Sequence, residues 1–223
     1  MTPVVSIVGK SNVGKTTLLE RLVVEIKRRG YCVATIKHDV HGFDIDKPGK
    51  DSWRHAQAGS DAVVISSPQK LALIKKVDHD SSLDEILQLV GPNFDIILTE
   101  GFKQSHAPKV EVHRKEIGGE LLCRPADLIA IATDEPLDSV APQYGLDDAQ
   151  GLTDLLEERF LKIETQEEAA TLFVDAVHIP LTTFAQSIIS KTVKGMVSSL
   201  RGVNSPRDVS ISVTGKSRGS DKQ

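Results

Sequence analysis

Cysteine is scarce in this chain of 223 residues: Cys32 and Cys123 are its two thiols. Two such distant cysteines make neither a disulfide framework nor a zinc module. Both lie in apolar or strand-like stretches, which predicts buried thiols in a reducing compartment. Aromatics are only 4% of residues, too few for the stacking platforms of a single-strand nucleic-acid binder. No charge of one sign dominates. The 27 basic and 31 acidic residues leave a formal charge of −4, without the basic footprint of a nucleic-acid partner. No apolar run approaches the roughly 20 residues of a membrane span. Met1-Thr2-Pro3 leads straight into a short apolar run, without the basic start and long apolar core of a secretory signal. These absences predict a soluble, cytoplasmic protein with no nucleic-acid and no membrane partner.

What is present is an alternation of strand and helix patterns. Val4–Val8 is a β-branched run, and Leu18, Leu22 and Ile26 recur at helical spacing before Gly30. Strands are predicted over 31–36, 62–66, 71–74, 94–99 and 128–132, with a partly exposed, alternating strand over 109–112. Helices are predicted over 51–58, 83–90 and 150–161. The stretch from 39 to 60, apart from its short helix, reads as a polar loop. Such alternation predicts an α/β fold, a mostly parallel sheet with helices on both faces. In such sheets ligands bind outside the carboxyl ends of the strands. After Ile163-Glu164-Thr165-Gln166-Glu167-Glu168, a linker by composition, the pattern changes to a small α+β extension. It has a strand over 172–177, a helix over 182–200 with an apolar face, a β-like stretch Val209–Val213 and a disordered tail. The predicted domains are 1–163 and 164–223.

The first strand ends in Gly9-Lys10-Ser11-Asn12-Val13-Gly14-Lys15-Thr16, the full G-x-x-x-x-G-K-[ST] spacing of a P-loop NTPase between strand and helix. Its glycines let successive backbone N–H groups turn toward phosphates, and the helix N-terminus adds its dipole. Lys15 would neutralise the β and γ phosphates, the Thr16 hydroxyl would ligate Mg²⁺, and Thr17 continues the cradle. Lys10 faces the phosphates or solvent, or reaches across a dimer as in some P-loop ATPases. The loop does not choose the base. Lys37-His38-Asp39 resembles a guanine reader but comes too early and lacks the leading Asn or Thr.

Other polar groups follow strand ends. Glu100 either binds Mg²⁺ and orients the attacking water or caps the next turn. Lys37 faces an anion, and His38 reads as a packing residue. Asp51 is an N-cap or a second Mg²⁺-associated carboxylate. His41, Asp44 and Asp46 suggest a metal cage less than a ligand-contacting loop, because hard Mg²⁺ does not recruit histidine. Lys50 and Arg54 offer positive charge to an anionic molecule. Asp134 is either a turn cap before Pro136 or an acceptor for the N1–H and 2-amino group of guanine, which would favour GTP.

Taken in order, several segments resemble the molybdopterin-guanine dinucleotide biosynthesis adaptor family (MobB). They are Gly9 to Thr17, Ala34-Thr35-Ile36-Lys37-His38, His41 to Arg54 with Ala58-Gly59, Leu98-Thr99-Glu100-Gly101-Phe102-Lys103, and Pro108-Lys109-Val110-Glu111-Val112. The middle segment is the most specific, and the resemblance covers about residues 3–160. Asn12 and Val13 depart from the family's glycine- or serine-rich loop interior. The resemblance implies a GTP-binding homodimer that assists a molybdopterin guanylyltransferase, with molybdopterin itself as a further partner and with slow GTP hydrolysis. The competing reading is a P-loop small-molecule kinase acting on a cofactor precursor, with the 39–60 loop as its acceptor pocket. A nickel-insertion GTPase would need a clear Cys/His segment, which this chain lacks.

Overall fold

The computed structural model describes residues 2–39, 42–162, 170–174, 177–203 and 209–213. It divides into two compact units, 2–163 and 164–223.

The first unit is built on a six-stranded parallel sheet of order β2-β5-β1-β6-β7-β8. Its strands are β1 (Val4–Val8), β2 (Val33–Lys37), β5 (Ile96–Glu100), β6 (Lys109–Val112), β7 (Leu128–Ala132) and the short β8 (Gln143–Tyr144). The last of these carries no apolar run and escapes a sequence reading. Between β2 and β5 the chain makes helix α2 (Asp51–Gln57), the hairpin of β3 (Ala62–Ser66) and β4 (Leu71–Lys75), and helix α3 (Leu83–Val90). Helix α1 (Lys15–Arg28) packs on one face of the sheet, and the α2-to-α3 excursion joins β2 to its neighbour β5.

β1 is central. It pairs with β5 through Val4↔Ile97 to Ile7↔Glu100 and with β6 through Ser6↔Lys109 to Val8↔Glu111. Alternation along these strands sends Val5, Ile7, Ile96, Leu98, Val110 and Val112 to one face. There they meet Leu18, Leu22 and Ile26 of α1 and Leu152 and Leu156 of α4 (Ala149–Leu156). After α4 the helix continues as one π-helical turn, Glu157–Leu161.

A charged cluster fastens α1 to α4. Arg29 donates from Nη1 to Asp154 and Glu157, both at 2.7 Å, and from Nε to Glu25 at 2.9 Å. Arg28 grips Glu25 with two bonds of 2.7 Å, and the Tyr31 hydroxyl donates to Glu157 at 2.8 Å. Hydrogen bonds from Arg28 and then Arg29 hold the Glu25 carboxyl down at about 2.

Four expectations need correction. β6 was expected to be partly exposed, yet all four of its residues are buried, because it lies between β1 and β7. Its polar side chains find internal partners: Lys109 Nζ donates to the carbonyls of Ser105 (2.6 Å) and Ala107 (3.0 Å), and Glu111 accepts from the backbone N–H of Leu122 (2.6 Å) and Cys123 (2.9 Å). Cys32 is exposed rather than buried, since it precedes β2 at the sheet's edge; Cys123 is half-buried. The strand expected over 172–177 is not a single one: β9 (Leu172–Val174) pairs antiparallel with β10 (Val177–Ile179) through Val174↔Val177. Val209–Val213 is irregular, with no strand partner among the described residues.

The β3–β4 hairpin is a separate antiparallel pair, outside the main sheet. In the second unit the helix α5 spans Thr183–Ser198 and starts on the Thr182 hydroxyl, which accepts from Ala185 N at 3.3 Å. The proposed linker (163–168), the end of the tail (214–223) and His41 lie outside the described residues.

Candidate functional site

The phosphate loop rides on the carboxyl end of β1. Gly9 has φ +146°, and a Cβ there would lie 2.5 Å from the Val112 carbonyl oxygen, so only glycine lets the loop pass this close to β6. Asn12 sits in the left-handed region at φ +59°, which asparagine tolerates better than other side chains. Val13 is 2% exposed and plugs the loop into the core. The two positions that depart from a glycine- or serine-rich interior thus have conformational and packing roles. Gly14 precedes α1 without a side-chain cap, leaving the first N–H groups of the helix free for an anion.

Lys15 folds back over the loop. Its Nζ donates to the carbonyls of Lys10 (2.7 Å) and Gly9 (3.2 Å). Burial pushes its pKa down; Glu100 opposes this, and Lys37 adds to the lowering. The Thr16 hydroxyl donates to both oxygens of Glu100, at 2.9 and 3.0 Å. A hydroxyl and a carboxylate this close supply two hard oxygen ligands, a donor set that suits Mg²⁺. Glu100 is placed here because β5 pairs with β1, and Lys37 arrives because β2 pairs with β5 through Lys37↔Glu100.

A cavity of about 620 Å³ opens beside the loop. Val8, Gly9 and Lys15 form its loop side; His38, Asp80, Leu83, Phe102 and Ser105 are among its other walls. The His38 and Phe102 rings stack with centroids 4.7 Å apart. His38 Nε2 lies 2.9 Å from the Asp80 carboxylate. Sequence reasoning missed Asp80 and Phe102, and left His38 as a possible packing residue. Positions 78–82 have no pattern of their own, so only the fold could bring them here.

On the other side of β1, Lys10 Nζ donates to the carbonyl of Gly118. Arg114, just beyond β6, reaches back to the loop, with Nε 3.4 Å from the Val13 carbonyl. Arg114 was also missed, though its place two residues past a strand end was a usable signal. Asp134 stands exposed past β7, where its Oδ1 accepts from Lys115 N at 2.8 Å. Asp51, Lys50 and Arg54 are not gathered with these groups. Lys50 is the N-cap of α2, without a side-chain bond, and Asp51 is its first residue, so the expectation of Asp51 as N-cap is off by one position. All three are exposed and outside the cavity's lining. Asp44 and Asp46 lie in the same segment, where Asp46 accepts from Lys47 N and the Ser52 hydroxyl, each at 2.9 Å. Among the described residues no three His, Cys, Asp or Glu side chains converge as a metal site, and no helix is long and apolar enough to cross a membrane.

The model of the family described as "Molybdopterin guanine dinucleotide synthesis protein B" matches residues 4–134. The Molybdopterin-guanine dinucleotide biosynthesis adapter protein of Escherichia coli is 34% identical over 165 residues, covering 71% of this chain and 93% of the relative. Its counterpart in Haemophilus influenzae is 39% identical over 137 residues, 61% of this chain and 77% of the relative. Among solved structures, the crystal structure of Bacillus subtilis MobB superposes with a TM-score of 0.57 at 29% identity, covering 70% of this chain and 97% of that one.

Proposed function

The chain belongs to the molybdopterin guanine dinucleotide synthesis protein B family, and from that premise we propose that its adapter role works through GTP and Mg²⁺ bound at the N-terminal loop. The observation that carries the reading is the convergence of Lys15, Thr16 and Glu100 on one strand end. Backbone N–H groups from Gly9 through Thr17, including those of Lys10, Ser11, Asn12, Val13 and Gly14, would cradle the phosphates. Lys15 exchanges its bonds to two loop carbonyls for the β and γ phosphates, with Lys37 as a further cation. Thr16 and Glu100 would hold Mg²⁺, which when bound neutralises phosphate charge. Asp134 would read guanine, its carboxylate already oriented by Lys115 N. Glu100 would position the attacking water, and hydrolysis would be slow, as the resemblance to the family implies.

The adapter assists guanine dinucleotide formation on molybdopterin, so its partner would be the guanylyltransferase, met through the exposed segment bearing Asp51, Lys50 and Arg54. The reading also includes a homodimer in the cytoplasm. One face of the β3–β4 hairpin supports it: the cross-strand pair Val64 and Leu73, with neighbouring Leu71, is exposed and apolar, the kind of surface a second copy could cover.

Calorimetry with GTP and Mg²⁺ tests the nucleotide site. Lys15→Ala and Thr16→Ala should each abolish Mg²⁺-dependent binding; unchanged affinity in both would refute the assignment.

A further inference from the structure

The cavity beside the loop touches it only at Val8, Gly9 and Lys15. The residues that wrap a polyphosphate, from Ser11 to Gly14 with Thr16 and Thr17, do not line it. A triphosphate seated on those residues would therefore leave much of the roughly 620 Å³ open. That volume lies within the ~300–1,000 Å³ of small-molecule sites.

We propose that this cavity is a second ligand site, taking a planar nitrogen heterocycle with an anionic tail, of the pterin phosphate class, next to the bound nucleotide. The proposal rests on the GTP reading above and adds a second ligand to the same end of the sheet.

Three observations carry it. The first is a wall for a flat ring. Phe102 stacks on His38, and Leu83 adds apolar lining. Phe102 is held at φ +53° directly after Gly101. A bulky residue in the left-handed region is uncommon, and such strain persists where the surroundings enforce it. Here Gly101 N donates to Ile7 O at 3.1 Å and His38 N to Glu100 O at 3.0 Å before the ring, and Ser105 N to Phe102 O at 2.9 Å after it, which pins both ends of the turn.

The second is polar matching. Asp80 presents a carboxylate, an acceptor for the adjacent N–H and amino group along the edge of a pterin. The Ser105 hydroxyl in the same wall is buried and has no hydrogen-bond partner, a group that a ligand would satisfy. The third is charge. Lys103 in the wall can hold an anionic tail, leaving Lys15 to the nucleotide.

The wall is also fixed from behind. The buried Lys109 ammonium is bonded to the carbonyls of Ser105 and Ala107, so the segment after Gly101 is tethered to the centre of the sheet. A tethered wall holds its shape before a ligand arrives, which lowers the cost of binding.

The experiment is a fluorescence titration of pterin-6-carboxylate with the full chain, with and without Mg²⁺ and a non-hydrolysable GTP analogue. Saturable quenching is expected in both conditions. Phe102→Leu keeps the bulk of the side chain but removes the ring face, and should weaken pterin binding about tenfold. It should leave the analogue's affinity within about twofold. Asp80→Asn, at an exposed position, is the second variant and should also weaken the pterin. The proposal falls if no saturable quenching occurs up to about 1 mM probe, a limit near 4 kcal/mol of binding. It also falls if the GTP analogue displaces the pterin competitively, or if both variants bind the pterin as the parent does. Loss of nucleotide binding with pterin binding kept would overturn the GTP reading alone, so the two failures are distinguishable.

Discussion

Replacing Gly9 by alanine puts the architecture of the phosphate loop to a quantitative test. The added Cβ would meet the Val112 carbonyl oxygen at 2.5 Å and Val13 Cγ1 at 3.0 Å, from a backbone at φ +146°. Neither neighbour can withdraw easily. Val112 belongs to β6, which is paired on both sides, and Val13 is packed in the core. A left-handed alanine costs about 1–2 kcal/mol and overpacking about 1–3 kcal/mol. The sum, about 2–5 kcal/mol, is a large part of the ~5–15 kcal/mol that holds a domain folded. Gly30→Ala is the control: φ is +92° there, but nothing lies within 4 Å of the new Cβ, so only the conformational cost of about 1–2 kcal/mol remains. Urea denaturation at unchanged m-value should place the Gly9→Ala midpoint well below that of Gly30→Ala. GTP affinity should fall by more than about tenfold in the first variant alone, a loss above roughly 1.4 kcal/mol. Equal destabilisation of the two variants, or full nucleotide binding by Gly9→Ala, would refute the packing argument.

Other outcomes follow from the charged groups. The folded-state pKa of Glu25, held at about 2 against an ordinary 4.5, makes a contribution to stability that is present above pH 4.5 and lost as pH falls toward 2. Glu25→Gln should therefore flatten the drop in denaturation midpoint across that window, without erasing it, since Glu85 and Glu157 are also lowered; parallel curves would contradict the assignment. Asp134→Asn should narrow the preference for GTP over ATP in a competition titration, and a parent protein that binds both equally would sink the base-reading role. Lys50→Ala with Arg54→Ala should leave GTP binding intact but lower the stimulation of guanine dinucleotide formation in a reconstituted assay. Undiminished stimulation by a folded double variant would remove that segment from the functional surface.

Much of the first unit was legible because its strands are short β-branched runs. Val4–Val8 and Leu128–Ala132 have the bounds expected of them, as buried parallel strands with two apolar faces should. The phosphate loop was legible for another reason, since its chemistry fixes residue types at fixed spacings. β6 misled because Lys109 and Glu111 alternate with valines, a pattern that normally means one wet face. Here tertiary bonds to Ser105, Ala107, Leu122 and Cys123 replace the water. The cavity was illegible because its walls beyond the loop come from three separated segments around 38, 80 and 102, and no local pattern encodes their meeting. β8 was missed because two residues on a sheet edge leave no periodicity to read.

The place of β1 in the sheet has a consequence for the chain as it leaves the ribosome. Both neighbours of β1 are made late, β5 at Ile96–Glu100 and β6 at Lys109–Val112. At roughly 5–20 residues per second, the apolar strand Val4–Val8 waits on the order of 5–20 s for the partners that bury it. During that interval α1 has no sheet to pack on, and Gly9 has no β6 backbone to pass. Contacts of such long sequence separation form slowly even in the finished chain. The nascent chain therefore exposes this apolar strand before the strands that shape the loop exist, and a ribosome stalled before residue 112 would display the whole Gly9–Thr16 sequence without the backbone that folds it.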